Sequence, residues 1–236
     1  MSAAEGVLLV DKPAGMTSHD VVEVVRRKLG IRRVGHTGTL DPLAEGLLVL
    51  LVGSATKHQR TLQSHDKTYE ATLRLGTQTD TADAEGAPVR QAPVPPLDRA
   101  RIESVLHGLT GRISQTPPAY SAVKVGGRPA YWWARKRRPV TLTARPVEIS
   151  ALSLLDWTPE TITFRTDCSA GTYIRSLGEA IAERLGTVGH INRLARLRVG
   201  HWSVQDARPL SWVIRASAEA IGQELRAVPV IVPVDR

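Results

Sequence analysis

The chain has a single cysteine, Cys168, among its 236 residues. One thiol closes no internal disulfide and makes no multi-cysteine zinc site. Its ordinary place is a small buried position on a strand. The histidines form no His-Glu-x-x-His pattern and no His-x-Glu followed by Cys-x-x-Cys, which argues against zinc hydrolases and zinc deaminases. Long apolar runs are missing too. The longest is Leu47–Val52, far short of the ~18 residues needed to span a bilayer. Residues Met1–Pro13 have no basic flank, and their apolar run is only Val7–Val10, so no signal peptide is read there. A cytoplasmic protein without a membrane is the expectation.

Acidic residues are absent from Ser104 to Val147. The same stretch holds Arg112, Lys124, Arg128, Arg135, Lys136, Arg137, Arg138 and Arg145, as many cations as the net charge of +8. A local cationic surface steers a polyanion better than diffuse charge does. Nucleic acid is the first class of partner this implies, and a merely soluble basic surface is the bland alternative.

What is present suits an ordinary folded domain. Hydrophobic residues make up 42% of the chain, enough to bury a core. Val7–Val10 reads as a buried strand. Thr17 and Asp20 form a capping-box pattern, Val21, Val22, Val25 and Leu29 follow at helical spacing, and Gly30 sits at the stop, so the pattern predicts a helix over Ser18–Leu29. Ala44–Leu48 reads as a helical turn and Leu47–Val52 as a strand. Thr68–Leu75 alternates, with Tyr69, Ala71, Leu73 and Leu75 on one face. Gly76–Val89 is polar and reads as a loop. A helix is expected around Leu97–Leu109, strands over Val147–Trp157 and Thr161–Cys168, a helix after Tyr173 ending at Gly186, and a short helix over Ser217–Leu225. Val228–Val234, with Pro229 and Pro233, suits an edge strand or extended tail. Unevenly spaced strands, several adjacent in sequence, imply an α+β fold with a mixed, largely antiparallel sheet and flanking helices.

The chemical suspect is the loop Gly35-His36-Thr37-Gly38-Thr39-Leu40-Asp41-Pro42. A carboxylate in a Gly/Thr loop beside a histidine can serve as a nucleophile or general base. Asp-Pro is also a common turn starter. Pro42 disfavours the helical conformation at Asp41. The order of residues excludes a phosphorylated-aspartate pump, in which the Asp precedes Lys-Thr-Gly-Thr. No Gly-x-x-x-x-Gly-Lys-[Ser/Thr] run occurs, and Gly38 lacks the strand–GxGxxG–helix context of a dinucleotide site.

Two segments, Val7–Ser18 (VLLVDKPAGMTS) and Gly35–Gly46 (GHTGTLDPLAEG), resemble the N-terminal motifs of the bacterial TruB family of tRNA pseudouridine-55 synthases. The resemblance continues in Lys67-Thr68-Tyr69, Gly76–Asp83, Pro117–Lys124 and Gly171–Ser176, and covers roughly residues 6–205 in order. It implies a pseudouridine-synthase-like fold and an isomerase that converts a uridine in the T loop of tRNA to pseudouridine by base flipping. Asp41 would be the catalytic carboxylate and Arg175 its partner. Tyr69 would stack on the target base. Tyr173 would lie by the flipped nucleotide, His36 would occupy the space it leaves, and Leu194 would give the pocket an apolar wall. Lys12 would approach the RNA backbone, or would be structural.

The chemistry is compatible with these roles. Isomerising uridine breaks a glycosidic C–N bond, turns the base and makes a C–C bond at C5. There is no redox change and no group is transferred in, so no cofactor and no metal are expected. A nucleophile is needed, at C6 of the ring or C1′ of the ribose. An ionised carboxylate suits either, and a nearby guanidinium favours that form against the penalty of burial. Extruding the base costs a few kcal/mol, which aromatic stacking at ~1–3 kcal/mol per base can offset. Gly126–Arg138 joins Tyr131, Trp132 and Trp133 to a cation run behind a Gly-Gly pivot. The resemblance implies a thumb insertion at about 120–145, in which Lys124, Arg128, Arg135, Lys136, Arg137 and Arg138 hold RNA phosphates without reading sequence. A solvated helix with both tryptophans turned inward is the alternative.

The resemblance places a catalytic domain over residues 1–210 and leaves 211–236 as a short helix and tail. This is too little for a C-terminal RNA-binding domain of the PUA type, so a short form is expected. Glu179-Ala180 stands where many relatives carry an Asp. A monomer acting on the tRNA T arm, with no obligate protein partner, is the expectation. Two other classes remain: an RNA-binding or tRNA-folding module whose chemistry is secondary, and a synthase subunit working with guide RNA.

Overall fold

Thr17 and Asp20 close a reciprocal capping box at the start of α1 (Ser18–Leu29) in the computed structural model, which describes residues 4–229. The Thr17 hydroxyl accepts from the Asp20 N–H at 3.1 Å, and the Asp20 carboxylate accepts from the Thr17 N–H at 2.9 Å. Two N–H groups that the helix itself cannot satisfy are thereby paired. Gly30 ends the helix in the left-handed region at φ 66°. The helix bounds are those the sequence predicts.

The chain divides into two compact units, Met1–Lys67 with Ala195–Arg236, and Thr68–Leu194. The first unit begins with β1 (Gly6–Lys12), α1, β2 (Val34–His36), β3 (Glu45–Val52), a 3-10 turn over Gly53–His58 and α2 (Gln59–Gln63). The chain returns to it through the end of β12 (Gly189–Val199), then β13 (Trp202–Ser203), β14 (Arg208–Pro209), α6 (Leu210–Arg215) and α7 (Ala218–Gln223). The strands run in the order β14-β1-β3-β12. β1 and β3 are antiparallel, with Leu8 opposite Leu50 and Val10 opposite Leu48. At its start β3 runs parallel to β12, Gly46 opposite Arg196. Further along it pairs antiparallel with β2, Leu50 opposite His36.

Val7, Leu9, Leu47, Val49 and Leu51 join Leu62, Val199 and Trp202 in one core cluster. The residues between them, Leu8, Val10, Leu48 and Leu50, are buried as well. Burial on both faces explains why β1 and β3 read as unbroken apolar runs rather than alternating ones. Behind them, the Lys28 ammonium at the end of α1 donates to Ala216 O at 3.2 Å, just after α6. Ser217 caps α7. Of the tail expected over Val228–Val234, residues 230–234 lie outside the described residues. Just before it, Arg226 forms an antiparallel bridge with Val7.

The helical turn expected at Ala44–Leu48 is instead strand from Glu45 onward. Gly46 gives the reason: its φ is 98°, and a Cβ there would meet Arg196 O at 2.4 Å. The strand is pressed against the backbone of β12 at a position only glycine can occupy.

The second unit holds most of β4 (Lys67–Leu75), β5 (Thr77–Thr79), β6 (Pro88–Gln91), α3 (Arg99–His107), β7 (Gly111–Gln115), β8 (Lys124–Val125), β9 (Arg128–Pro129), α4 (Ala130–Arg135), β10 (Arg145–Trp157), β11 (Thr161–Cys168), α5 (Ile174–Arg184) and the first part of β12. The order is β12-β4-β11-β10-β7. β10 pairs antiparallel with both β11 and β7. Tyr69, Ala71, Leu73 and Leu75 are all buried on β4, as their alternation predicts. α5 packs close to the strands through Gly178, where a Cβ would meet Ile191 Cδ1 at 2.7 Å. Cys168 is buried on β11. Within Gly76–Val89, expected as a plain loop, β5 starts a small hairpin with β6. The fold is thus mixed α+β, with antiparallel pairs predominating. Among the described residues no helix is long and apolar enough to cross a membrane.

Candidate active site and nucleic-acid interface

Asp41 stands at the first position of a turn. Its carbonyl accepts from the Ala44 N–H at 3.0 Å, with Pro42 in the second position where its fixed φ belongs. The turn-starter reading and the catalytic reading of this residue are therefore compatible. The side chain is half-buried. The loop before it is held at several points. Ser18 Oγ, itself 1% exposed, donates to Leu40 O at 3.1 Å and accepts from Leu40 N–H at 2.8 Å. Thr37 N–H donates to Val49 O at 3.1 Å and Gly15 N–H to Pro42 O at 2.8 Å.

Lys12 is fully buried, and its ammonium donates to Pro13 O, Met16 O and, at 3.4 Å, Pro42 O. These carbonyl contacts make the ammonium a clamp on the surrounding backbone, the structural role that stood beside the RNA contact expected for it. Val7–Ser18 and Gly35–Gly46 thus make one local structure. Lys12, Gly15 and Ser18 in the first motif fix the backbone on both sides of Asp41 in the second.

His36 closes β2 and is half-buried. Its Nδ1 accepts from the Gly38 N–H at 3.3 Å. An accepting Nδ1 leaves the proton of a neutral ring on Nε2. Burial, then the Arg196 guanidinium, then His19 push its pKa below the ordinary imidazole value. Arg196 is a residue that sequence reasoning missed. It is 1% exposed on β12, and it donates from Nε to Leu47 O at 2.8 Å and from Nη2 to Gly38 O at 3.0 Å. It braces the loop at Gly38, two residues before the Leu40 that Ser18 holds. A buried arginine on a strand leaves no mark in the sequence beyond its type, because the carbonyls that satisfy it come from distant segments.

In the second unit Arg175 is 4% exposed, so it is not a plain surface residue of α5. Its Nη1 donates to Thr81 O at 2.7 Å and lies 3.7 Å from Asp83 Oδ2, and its Nη2 donates to Tyr120 O at 2.8 Å. One guanidinium thus gathers the Gly76–Asp83 and Pro117–Lys124 segments. Asp83 was not singled out from sequence. It is 4% exposed, and its Oδ1 accepts from Thr81 Oγ1 at 2.5 Å and from the Glu85 N–H at 3.1 Å.

Tyr173 caps α5 and is half-buried. The buried Gln115 amide brackets its backbone, accepting from Tyr173 N–H at 2.7 Å and donating to Tyr173 O at 3.0 Å. Tyr69 is 9% exposed on β4 and Leu194 is 7% exposed on β12.

The cationic segment has its own small architecture. β8 and β9 form a hairpin over Gly126 and Gly127, both at positive φ. Two positive φ values at the tip mark a tight turn of the primed type. Trp133 Nε1 donates to Val125 O at 3.0 Å, tying α4 to the hairpin. Trp132 packs edge-on against Trp133, and Arg128 and Lys136 lie 5.3 and 4.0 Å from its ring centroid. Lys124, Arg128, Arg135, Lys136, Arg137 and Arg138 are all exposed. Inward-turned tryptophan and outward-turned cations coexist in this segment.

A model of the TruB family pseudouridylate synthase N-terminal domain matches residues 26–174. A tRNA pseudouridine synthase B from Aromatoleum aromaticum is 46% identical over 231 residues, which are 98% of this chain and 73% of that protein. One from Opitutus terrae is 42% identical over 226 residues, 96% of this chain and 93% of its own length. Among solved structures, a chain of an H/ACA RNP bound to a substrate RNA containing 2′-deoxyuridine superposes with a TM-score of 0.67 at 26% identity. That match covers 90% of this chain but only 53% of the other, so this chain spans about half its length.

Proposed function

Since the chain belongs to the TruB family of pseudouridylate synthases, which are isomerases, we propose that it converts uridine 55 in the T loop of tRNA to pseudouridine, with Asp41 as the nucleophile. The observation that carries this reading is the restraint of the Asp41 loop. Ser18, Lys12, Gly15 and Arg196 fix its backbone on every side while the carboxylate stays half-buried. Such preorganisation keeps a reacting group in its attack geometry at no cost during the reaction.

In this reading the target nucleotide leaves the RNA stack. Tyr69 receives the base on its ring, and Leu194 supplies an apolar wall. His36, neutral, fills the space left behind without adding charge. Asp41 attacks C6 of the ring or C1′ of the ribose, C1′–N1 breaks, the uracil turns and C1′–C5 forms; the bond to Asp41 then breaks, the C5 proton leaves beside Tyr173 and N1 takes up a proton. The atoms of uridine and pseudouridine are the same. Arg175 is the counter-ion that keeps Asp41 ionised, and Asp83, Thr81 and Tyr120 position it. The thumb cations Lys124, Arg128, Arg135, Lys136, Arg137 and Arg138 hold phosphates. The higher identity to the tRNA pseudouridine synthases B than to the chain of the H/ACA RNP favours tRNA as the substrate.

The test compares the wild type with Asp41→Asn on a T-arm stem-loop. Binding is expected within a few fold and pseudouridine formation is expected to vanish. Full activity in the variant overturns the assignment.

A further inference from the structure

A groove of about 360 Å³ opens at the C-terminal end of α1, lined by Glu23, Arg26, Arg27, Gly30, Ile31 and Arg32. It lies within the first unit, and none of its lining residues belongs to the acid-free stretch that carries the thumb. Its charges are not equivalent. Arg26 is committed to the fold: Nη1 sits 2.6 Å from Glu23 Oε1, and Nη2 donates to Val34 O at 2.8 Å. The Glu23 carboxylate is engaged by that contact, with His19 3.6 Å away.

Arg27 uses only its Nε, on Glu23 O at 3.4 Å, and is exposed. Arg32 is exposed, and its side chain makes no hydrogen bond or ion pair among the described residues. Of the neighbouring cations, Lys28 is occupied on Ala216 O, and Arg33, which does not line the groove, donates from Nε to Thr56 Oγ1 at 2.6 Å. The carbonyl end of a helix disfavours an anion. Here that effect is blunted, because the Gly30 and Ile31 N–H groups both donate to Arg26 O. What remains is a concave, positively charged surface with two unused guanidinium forks.

We propose that this groove is a second contact site for the substrate RNA, in which Arg27 and Arg32 each hold a backbone phosphate. Planar guanidinium forks match phosphate oxygens in pairs. A phosphate contact sets affinity and register rather than sequence. Chain geometry keeps the groove near the chemistry: three residues lie between Arg32 and His36, a span of at most about 13–14 Å. One RNA engaged at His36 can therefore reach the groove. The proposal rests on the RNA-modifying reading of the chain, and adds a phosphate contact that the thumb does not supply.

The experiment measures binding of an unmodified tRNA transcript to the wild type and to the double variant Arg27→Gln, Arg32→Gln between 0.05 and 1 M KCl. (These concentrations are set by the ~0.1 M range in which counterion release is best read.) Each lost phosphate contact lowers the slope of log K against log salt by about 0.7–0.9, so the pair should lower it by about 1.4–1.8. If the lines converge at 1 M, that corresponds to about 25- to 60-fold weaker binding at 0.1 M. The rate at saturating tRNA should be unchanged, because neither residue is placed against the uridine. The charge-preserving pair Arg27→Lys, Arg32→Lys should recover most of the slope.

A control pair removes two exposed arginines elsewhere, Arg90→Gln and Arg165→Gln. A wild-type slope in the Arg27/Arg32 variant, or a loss no greater than in the control pair, overturns the proposal. Failure of the catalytic reading would show instead as activity in Asp41→Asn, with the salt slopes unaffected, so the two failures are distinguishable.

Discussion

Ser18→Ala should damage catalysis without touching RNA. The hydroxyl is 1% exposed and holds Leu40 by both its N–H and its C=O. Removing it orphans two backbone groups of a residue that is itself 3% exposed. A buried polar group left without a partner costs about 1–3 kcal/mol. Two such groups set a cost of about 2–6 kcal/mol if the loop stays in place. Relaxation of the loop toward water keeps the loss in the lower half of that range, about 2–4 kcal/mol. For a chain of this size about 2–4 °C of Tm accompany each kcal/mol, so Tm should fall by about 4–16 °C.

Catalysis reports the relaxation itself. Leu40 immediately precedes Asp41, and a carboxylate displaced by ~1 Å loses about 10²-fold in rate. Single-turnover pseudouridine formation with enzyme in excess should slow by one to two orders of magnitude, while tRNA affinity stays within a few fold. Ser18→Thr, which keeps the hydroxyl, should recover part of both losses. A Ser18→Ala enzyme with unchanged Tm and an unchanged single-turnover rate would refute the idea that this bond preorganises the loop.

Other outcomes follow from the same geometry. Asp83→Asn should leave the Arg175 guanidinium poorly held, slowing single turnover by about 10²-fold and lowering stability by up to about 3–5 kcal/mol, as for a broken buried pair; equal turnover in the variant would remove Asp83 from the positioning role. His36 has a folded pKa below its unfolded value of about 6.5, so between the two values the folded state binds fewer protons than the unfolded chain. Its contribution is intact above pH ~6.5 and is lost as pH drops toward the folded pKa, so urea melts of the wild type and His36→Gln should diverge only on acidification. Neutralising Arg135, Lys136, Arg137 and Arg138 together should flatten the salt dependence of tRNA binding by about 3 units of slope and leave chemistry at saturating RNA intact; an unchanged slope would remove the thumb from RNA binding.

Local rules made some elements legible and tertiary demands hid others. α1 carries its own cap, amphipathic face and stop, so its bounds could be read directly. β4 alternates because one of its faces is buried more than the other. β12 was missed because its pattern serves two purposes at once. Leu194 and Val199 are buried in the ordinary way, but Arg196 is buried as a brace, which inverts the expected polarity at that position. Glu45 and Gly46 look like a helical turn until β12 lies beside them. In the site, residue type and order pointed to the Asp41 loop, the Tyr173–Arg175 segment and the cation run. Ser18, Gln115, Asp83 and Arg196 act through backbone groups of distant segments, and no pattern along one strand or helix announces such partners.

The first unit is split in the chain: its two parts are separated by about 130 residues. The strand partner that presses on Gly46 and the guanidinium that braces Gly38 both come from the later part. At ~5–20 residues per second, a ribosome needs roughly 6–26 s to travel from one part to the other. During that interval a nascent chain already contains His36 and Asp41 but has no Arg196 with which to fix them. The loop can reach its restrained form only once β12 has been made, so a chain stalled before β12 would carry Asp41 in sequence without the brace that fixes the loop around it.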